Sequence, residues 1–206
     1  MYEQGNVSAP KSLKRLRKEV QWTELDPDLW ALVEQPESRR AIREAISFAA
    51  REHRHHKRKD GETPYVAHVM RVAMTVAHVF GVQDIKTLTA AVLHDTIEDT
   101  GTDYDDLLEQ FGKEVADLVV CLTKDPRMVE EEREEEYFEG LARAPWQARL
   151  IKLADSYDNV LDSSTSKVRT KAAAKARKIL EIAGDDRPEL AGAKAALEGL
   201  IAAMES

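Results

Sequence analysis

The stretch Leu93–Thr100, LHDTIEDT, places one imidazole and three carboxylates at the end of an apolar run, IKTLTAAV, that begins after Asp84. The run is apolar on most faces, as expected of a central helix. If the helix continues through 99, each residue turns by about 100°, so His94, Asp95, Glu98 and Asp99 share an arc of roughly 140°. Such a cluster on an otherwise apolar helix is costly to bury unpaired, so these groups either face water or hold a cation. Acidic side chains are poorly placed at a helix C-terminus, where the dipole favours positive charge. A bound metal removes that conflict and is the favoured reading over a solvated helix end.

Outward from this segment the chain reads as helical almost throughout. Gly and Pro are sparse, alternating β-branched runs are missing, and Ala, Leu, Glu, Lys and Arg abound. Ile42, Ala45, Ile46, Ala49 and His53 recur at helical spacing from Ser38 onward. HHKRKDGETP, 55–64, is a loop. A helix opens between Tyr65 and His68, buries Val69, Val72, Ala73, Val76 and Phe80, and ends at Gly81. Asp84 is the expected cap of the LHDTIEDT helix, and Thr102 with Asp105 resembles a capping box before Leu107. Then follow KEVADLVVCLT, the acidic run EEEREEE (130–136) as a solvated helix start or lid edge, and a helix from Pro145 to about Asp162. Two Ala- and Lys-rich helices, about 166–183 and 188–204, close the chain.

The balance of 30 Lys+Arg against 38 Asp+Glu in 206 residues, a net charge of −8, argues against general affinity for nucleic acid or an anionic membrane. The single cysteine, Cys121, excludes an intramolecular disulfide and a Cys-based zinc site, suits a reducing cytoplasm, and reads as a small core residue. No stretch approaches a membrane span, and the N-terminal segment has no signal-type apolar core. Residues 1–37 read as a polar, basic arm or extension. Trp22, Trp30 and Trp146 read as packing anchors. All six histidines fall between His53 and His94; His53, on the apolar stripe, is expected beside the site, with His55 and His56 on the loop.

Two further segments carry chemistry. In LIKLADSYDNVLD, 150–162, Asp155 follows an apolar run and Asn159 lies one turn on. A carboxylate there is either paired with a base or ligates a metal; Lys152 is read as badly spaced to pair with it along the helix. In TPYVAHV, 63–69, Pro64 begins a helix whose first turn holds His68, a position that is more often a surface or satisfied core histidine.

Taken in order, these segments resemble the HD-domain phosphohydrolases, and within them the hydrolase half of the RelA/SpoT family and its small stand-alone alarmone hydrolases. The likeness rests on RKDGETPYVAHV (58–69), LHDTIEDT (93–100), FGKEVADLVVCLTK (111–124) and KLADSYDN (152–159), and covers roughly 40–165. It implies an all-α, compact multi-helix HD-domain bundle over 38–206, with core motifs in 53–162 and C-terminal helices in 166–205. It implies metal ligands His68, His94, Asp95 and Asp155, and Glu98 and Asp99 as the pair that positions or activates water. Arg58, Lys59, Tyr65 and Asn159 match positions lining the nucleotide site. One divalent ion, most often Mn²⁺ in such proteins, is implied, and two imidazoles with two carboxylates suit Mn²⁺ or Fe²⁺. The expected partner is a small-molecule nucleotide, and the expected reaction is hydrolysis of (p)ppGpp at the 3′-diphosphate to GDP or GTP and pyrophosphate. The chain beyond Leu161 is too short for a synthetase domain.

The likeness has departures. Val69 replaces a proline after the first ligand, Ser156 replaces a basic residue after the last, and the match fades beyond Leu161. Another nucleotide phosphate, such as a dNTP or an NADPH-like molecule, is therefore the rival substrate. A catalytically silent nucleotide-binding HD domain is the rival from another class. The basic run KVRTKAAAKARK (167–178) reads as a solvated face by default; its Lys171 and Lys175 are candidates to reach 5′-phosphates.

Overall fold

The central helix of the computed structural model is Trp146–Leu161, in which ten residues are buried, among them the polar Arg149, Asp155, Ser156 and Asp158. The structure describes residues 36–163 and 165–205; the expected N-terminal arm, with Trp22 and Trp30, lies outside the described residues. Residues Glu37–Ser206 pack as one compact unit.

In chain order the helices are α1 (Pro36–Glu52), α2 (Val66–Met74, running on as a π-helical turn over Thr75–Val79), α3 (Ile85–Leu93), α4 (Thr96–Asp99) and α5 (Tyr104–Phe111). They continue with α6 (Lys113–Val120), α7 (Glu130–Arg143), α8 (Trp146–Leu161), α9 (Ser166–Ile182) and α10 (Pro188–Glu205). No strand occurs among the described residues, and the fold is all-α as expected. Helix α8 packs against α9, α10, α2 and α3. Its Leu150, Ile151 and Leu153 are fully buried. Removing one such leucine side chain costs about 2–5 kcal/mol. That packing gives the polar side chains of α8 a fixed platform.

Several local readings need correction. The helix expected to run through LHDTIED breaks after Leu93 and resumes at Thr96, with Asp95 at φ −101°, ψ −2°. His94 Nδ1 donates to Ala91 O at 2.9 Å and Thr96 Oγ1 to Leu93 O at 2.7 Å, so side chains satisfy carbonyls that an unbroken helix would use. The capping box lies one residue later than expected, between Asp103 and Asp106. Thr102 is buried instead, its hydroxyl accepting from Thr100. The π-helical turn at the end of α2 has no counterpart in the sequence reading, although Gly81, at φ 72°, ends the segment as expected. Helix α3 lies against α2, α6 and α8 but is not the hub; α8 is. Cys121 is half-buried at the end of α6 rather than within the core.

Two local expectations hold. Asp84 accepts from Thr87 N at 2.8 Å and caps α3. EEEREEE forms the first turns of α7. Buried Arg149 donates to Ala183 O and to both carboxylate oxygens of Asp186, tying α8 to the turn between α9 and α10.

Candidate active site

Four side chains from three elements converge in the interior. His68 comes from the first turn of α2, His94 and Asp95 from the break between α3 and α4, and Asp155 from the middle of α8. His68 Nε2 lies 3.2 Å from Asp155 Oδ1 and 3.5 Å from Asp95 Oδ2. His94 Nε2 lies 3.0 Å from Asp95 Oδ2 and 3.9 Å from Asp155 Oδ1. Donor atoms of His68, His94 and Asp155 all fall within 4.8 Å of one another, in a buried cluster suited to a divalent metal. Asp95 Oδ2 stands beside both imidazoles.

The donor chemistry fits a cation. His94 Nδ1 is held by the Ala91 carbonyl, so a neutral His94 turns a lone pair on Nε2 towards the carboxylates. That Nε2 is buried and makes no hydrogen bond, although Asp95 Oδ2 is 3.0 Å away. A buried imidazole nitrogen left without a hydrogen bond beside carboxylates is a donor that a cation could take. Burial alone would lower the His68 pKa, but Asp155, Asp158 and Asp95 outweigh it and push it up to about 10. His94 likewise rises against its burial because of Asp95. Burial would raise Asp155, yet Lys152 and then His68 hold it well below the ordinary carboxylate range.

Lys152 is itself a correction: its Nζ donates to Asp155 Oδ2 at 2.8 Å. Residues three apart are neighbours on a helix surface, and a long side chain spans that gap. Asn159 Nδ2 donates to the other oxygen, Asp155 Oδ1, at 2.5 Å. Tyr65 donates to Asp95 Oδ2 at 2.7 Å and stacks on His53, with ring centroids 4.7 Å apart. Burial lowers the His53 pKa to about 4, so it packs as a neutral ring behind Tyr65. Glu98 and Asp99, on α4, are exposed, and Glu98 Oε2 accepts from Lys124 N at 3.1 Å. Each residue keeps exposed surface, but partial desolvation of its carboxylate, and for Asp99 also the charge of Asp95, raises its pKa, which makes it a better proton acceptor.

Beside the cluster opens a cavity of about 420 Å³, and Asp155 belongs to both. Lys59, Lys124, Lys152, Lys171 and Lys175 line it, together with Ser156, Asn159 and an apolar wall that includes Tyr137, Phe138 and Ile179. Lys175 is held below its ordinary pKa by burial and by the charges of Lys124 and Lys171. Lys124 pairs with Glu134, which also lines the cavity, and Lys152 with Asp155, so it is Lys59, Lys171 and Lys175 that favour an anionic occupant.

Of the residues expected at a nucleotide site, Lys59 and Asn159 line the cavity and Tyr65 reaches Asp95. Arg58 turns inward: it is 9% exposed, donates to Asp162 and Asn159, and lies over the Tyr65 ring. Lys171 and Lys175, singled out in the basic run, line the cavity. Sequence reading passed over Lys124, Asp158 and Arg71. Asp158 accepts from His68 and Arg71. Its signal was available: Asp158 lies three residues after Asp155, and Arg71 three after His68.

A helical bundle with a buried His, His-Asp and Asp constellation defines the HD class, and residues 45–182 match the HD domain family, to which this chain belongs. The chain is 36% identical over 156 residues to the guanosine-3′,5′-bis(diphosphate) 3′-pyrophosphohydrolase MESH1 of Danio rerio, covering 75% of this chain and 87% of that protein. It is 43% identical over 120 residues to the Homo sapiens protein of the same name, covering 58% and 67% respectively. Among solved structures, it is similar to a metazoan ortholog of SpoT that hydrolyzes ppGpp, with a TM-score of 0.71 and 31% identity over 80% of this chain and 95% of that one.

Proposed function

We propose that this chain hydrolyses guanosine 3′,5′-bis(diphosphate) and its 5′-triphosphate counterpart at the 3′-diphosphate, releasing pyrophosphate and GDP or GTP. The observation that carries this reading is a buried metal-type cluster, His68, His94 and Asp155, that shares Asp155 with a cavity lined by five lysines. A nucleotide phosphorylated at both ends needs positive charge along the whole cavity as well as beside the metal. The 36% identity to a named 3′-pyrophosphohydrolase supports the same substrate.

His68, His94, Asp95 and Asp155 would hold one divalent ion, with Mn²⁺ the proposed metal. Such an ion supplies a lowered water pKa and charge neutralisation at a phosphoryl oxygen. Glu98 and Asp99 orient the attacking water and accept its proton, as their raised pKa values suit. Water adds to the phosphorus next to the 3′-oxygen, the P–O3′ bond breaks, and the 3′-oxygen leaves as a hydroxyl once protonated. Lys59, Lys171 and Lys175 bind phosphate oxygens, and Tyr137 and Phe138 offer ring surface to the base. Asn159 and Tyr65 steady the two carboxylate ligands rather than the nucleotide itself. Ser156 lines the cavity without charge, and the neighbouring lysines supply what it lacks. The proposed setting is the cytoplasm, with a small-molecule partner and neither nucleic acid nor membrane. No helix among the described residues is long and apolar enough to cross a membrane.

The test is product analysis of metal-free protein reloaded with Mn²⁺ and offered ppGpp, pppGpp, GTP, dNTPs and NADPH. Pyrophosphate released from ppGpp, and lost in Asp95→Ala and Glu98→Ala, is expected. Turnover of ppGpp no faster than that of the other nucleotides would overturn the substrate, and nucleotide binding with no turnover of any would mark a silent binding domain.

A further inference from the structure

Two metal-facing imidazoles are aimed by different means. His94 is aimed by the backbone, through Ala91 O at 2.9 Å, which no substitution can remove. His68 is aimed by a side chain. Asp158 Oδ2 lies 2.7 Å from His68 Nδ1, and Asp158 is 3% exposed. Arg71 Nε donates to Asp158 Oδ1 at 2.6 Å and Arg71 Nη2 to Oδ2 at 3.0 Å. The guanidinium and the imidazole thus occupy the carboxylate from two directions. An ionised carboxylate only accepts, so His68 Nδ1 must be the donor. Its Nε2 is then left facing Asp155 Oδ1 at 3.2 Å and Asp95 Oδ2 at 3.5 Å.

The same pair is tied to the far side of the cluster. Arg71 Nη2 also meets Asp162 Oδ1 at 3.1 Å, and Asp162 Oδ2 accepts from Arg58 at 2.8 Å. Arg58 donates to Asn159 Oδ1 at 2.8 Å, and Asn159 donates to Asp155. A continuous polar chain therefore leaves one candidate ligand, His68, and returns at another, Asp155. Every link alternates donor with acceptor, and together they span α2, the loop before it and α8. Helix α8 uses one face twice: Asp155 faces the metal position, and Asp158, three residues on, faces the back of His68.

We infer that Asp158, held by Arg71, is a positioning residue that sets the orientation and tautomer of His68 and thereby the affinity of the site for its divalent ion. Asp158 touches neither the ion's position nor the nucleotide cavity and acts only through His68. A carboxylate behind a ligating imidazole fixes its tautomer and raises its basicity, and loss of such a partner typically weakens metal binding about 10–100-fold. The inference rests on the metal reading proposed above.

The test measures Mn²⁺ binding directly on metal-free protein, by the electron paramagnetic resonance signal of free Mn²⁺, with no nucleotide present. Asp158→Ala is expected to weaken binding about 10–100-fold. Asp158→Asn, which keeps an acceptor but not the charge, should fall between Asp158→Ala and the unaltered protein. In turnover, the Mn²⁺ concentration for half-maximal rate should rise while KM for ppGpp at saturating Mn²⁺ holds, a split that general unfolding would not produce. A second measurement needs no variant: in Zn²⁺-loaded unaltered protein, long-range ¹⁵N–¹H correlation should show His68 protonated at Nδ1 and metal-bound at Nε2. Folded Asp158 variants with unaltered Mn²⁺ affinity, or His68 bound through Nδ1, would overturn the assignment. Failure of the unaltered protein to bind Mn²⁺ would instead overturn the metal reading beneath it.

Discussion

Arg58 Nη2 donates to Asn159 Oδ1 at 2.8 Å across 101 positions of sequence, while Arg58 Nε holds Asp162 at 2.8 Å. The guanidinium is thus occupied by the protein, and Asn159 is left with its amide directed at Asp155. Arg58→Ala should therefore act through Asp155: Mn²⁺ affinity and kcat fall together, with KM for ppGpp changing less. The stability loss should lie between the ~1 kcal/mol of exposed pairs and the ~3–5 kcal/mol of buried ones, because Asp162 is 30% exposed. Arg58→Lys should not restore the enzyme, since one ammonium cannot reproduce a two-pronged fork. A variant that raises KM alone would show that Arg58 binds substrate after all.

Lys171 and Lys175 belong to the opposite class. Both line the cavity from α9 and neither bonds to the metal cluster. Loss of one charge-assisted bond to phosphate is worth about 1.5–3 kcal/mol, roughly a tenfold or greater rise in KM. Lys171→Ala and Lys175→Ala should show that rise with kcat little changed, and the effect should shrink as salt is added. Steady-state kinetics at two ionic strengths decides. A fall in kcat at constant KM would place these lysines in the chemistry rather than in binding.

The residues that the sequence makes legible are those whose signal is local. Apolar spacing places α1, α2 and α8 to α10, and the His68, His94 and Asp155 segments carry their own chemistry. The break between Leu93 and Thr96 escapes because it depends on His94 and Thr96 bonding backbone carbonyls in place of the helix ladder. Helical periodicity does not register that choice. Arg58 reads as a substrate cation because the chain alone does not bring Asp162 to it. Lys152 reads as unpaired when its bond to Asp155 is three residues away. In each case the deciding contact is a polar side chain turned inward, where pattern says only that it is polar.

Gly184 is a second place where one contact decides. It sits at φ 74°, and a Cβ there would lie 2.5 Å from Arg149 Nη1 and 3.0 Å from Asp186 Oδ1. Gly184→Ala brings left-handed strain of about 1–2 kcal/mol. It also displaces the guanidinium that joins α8 to the turn after α9. Chemical denaturation should show a loss of about 2–4 kcal/mol in all once part of the Arg149 bonding is gone. Mn²⁺ affinity of the folded fraction should be unchanged, because the site lies elsewhere along α8. A loss below 1 kcal/mol would mean that Arg149 finds an equivalent seat.

Metal removal tests the cluster as a thermodynamic unit. An ion held by His68, His94, Asp95 and Asp155 binds the folded arrangement and not the unfolded chain. Linkage then requires Mn²⁺ at about 100 times its dissociation constant to stabilise the fold by about 2.7 kcal/mol. For a chain of this size each kcal/mol moves Tm by about 2–4 °C, so a rise of about 5–11 °C is expected and a chelator should reverse it. Asp155→Asn keeps the shape of the side chain but removes the charge that balances both Lys152 and the ion. It should lose most of the rise, and the metal-free Tm should fall as well, because Lys152 and His68 lose their buried counter-charge. Equal rises in Asp155→Asn and the unaltered protein would place the ion somewhere other than between His68, His94 and Asp155.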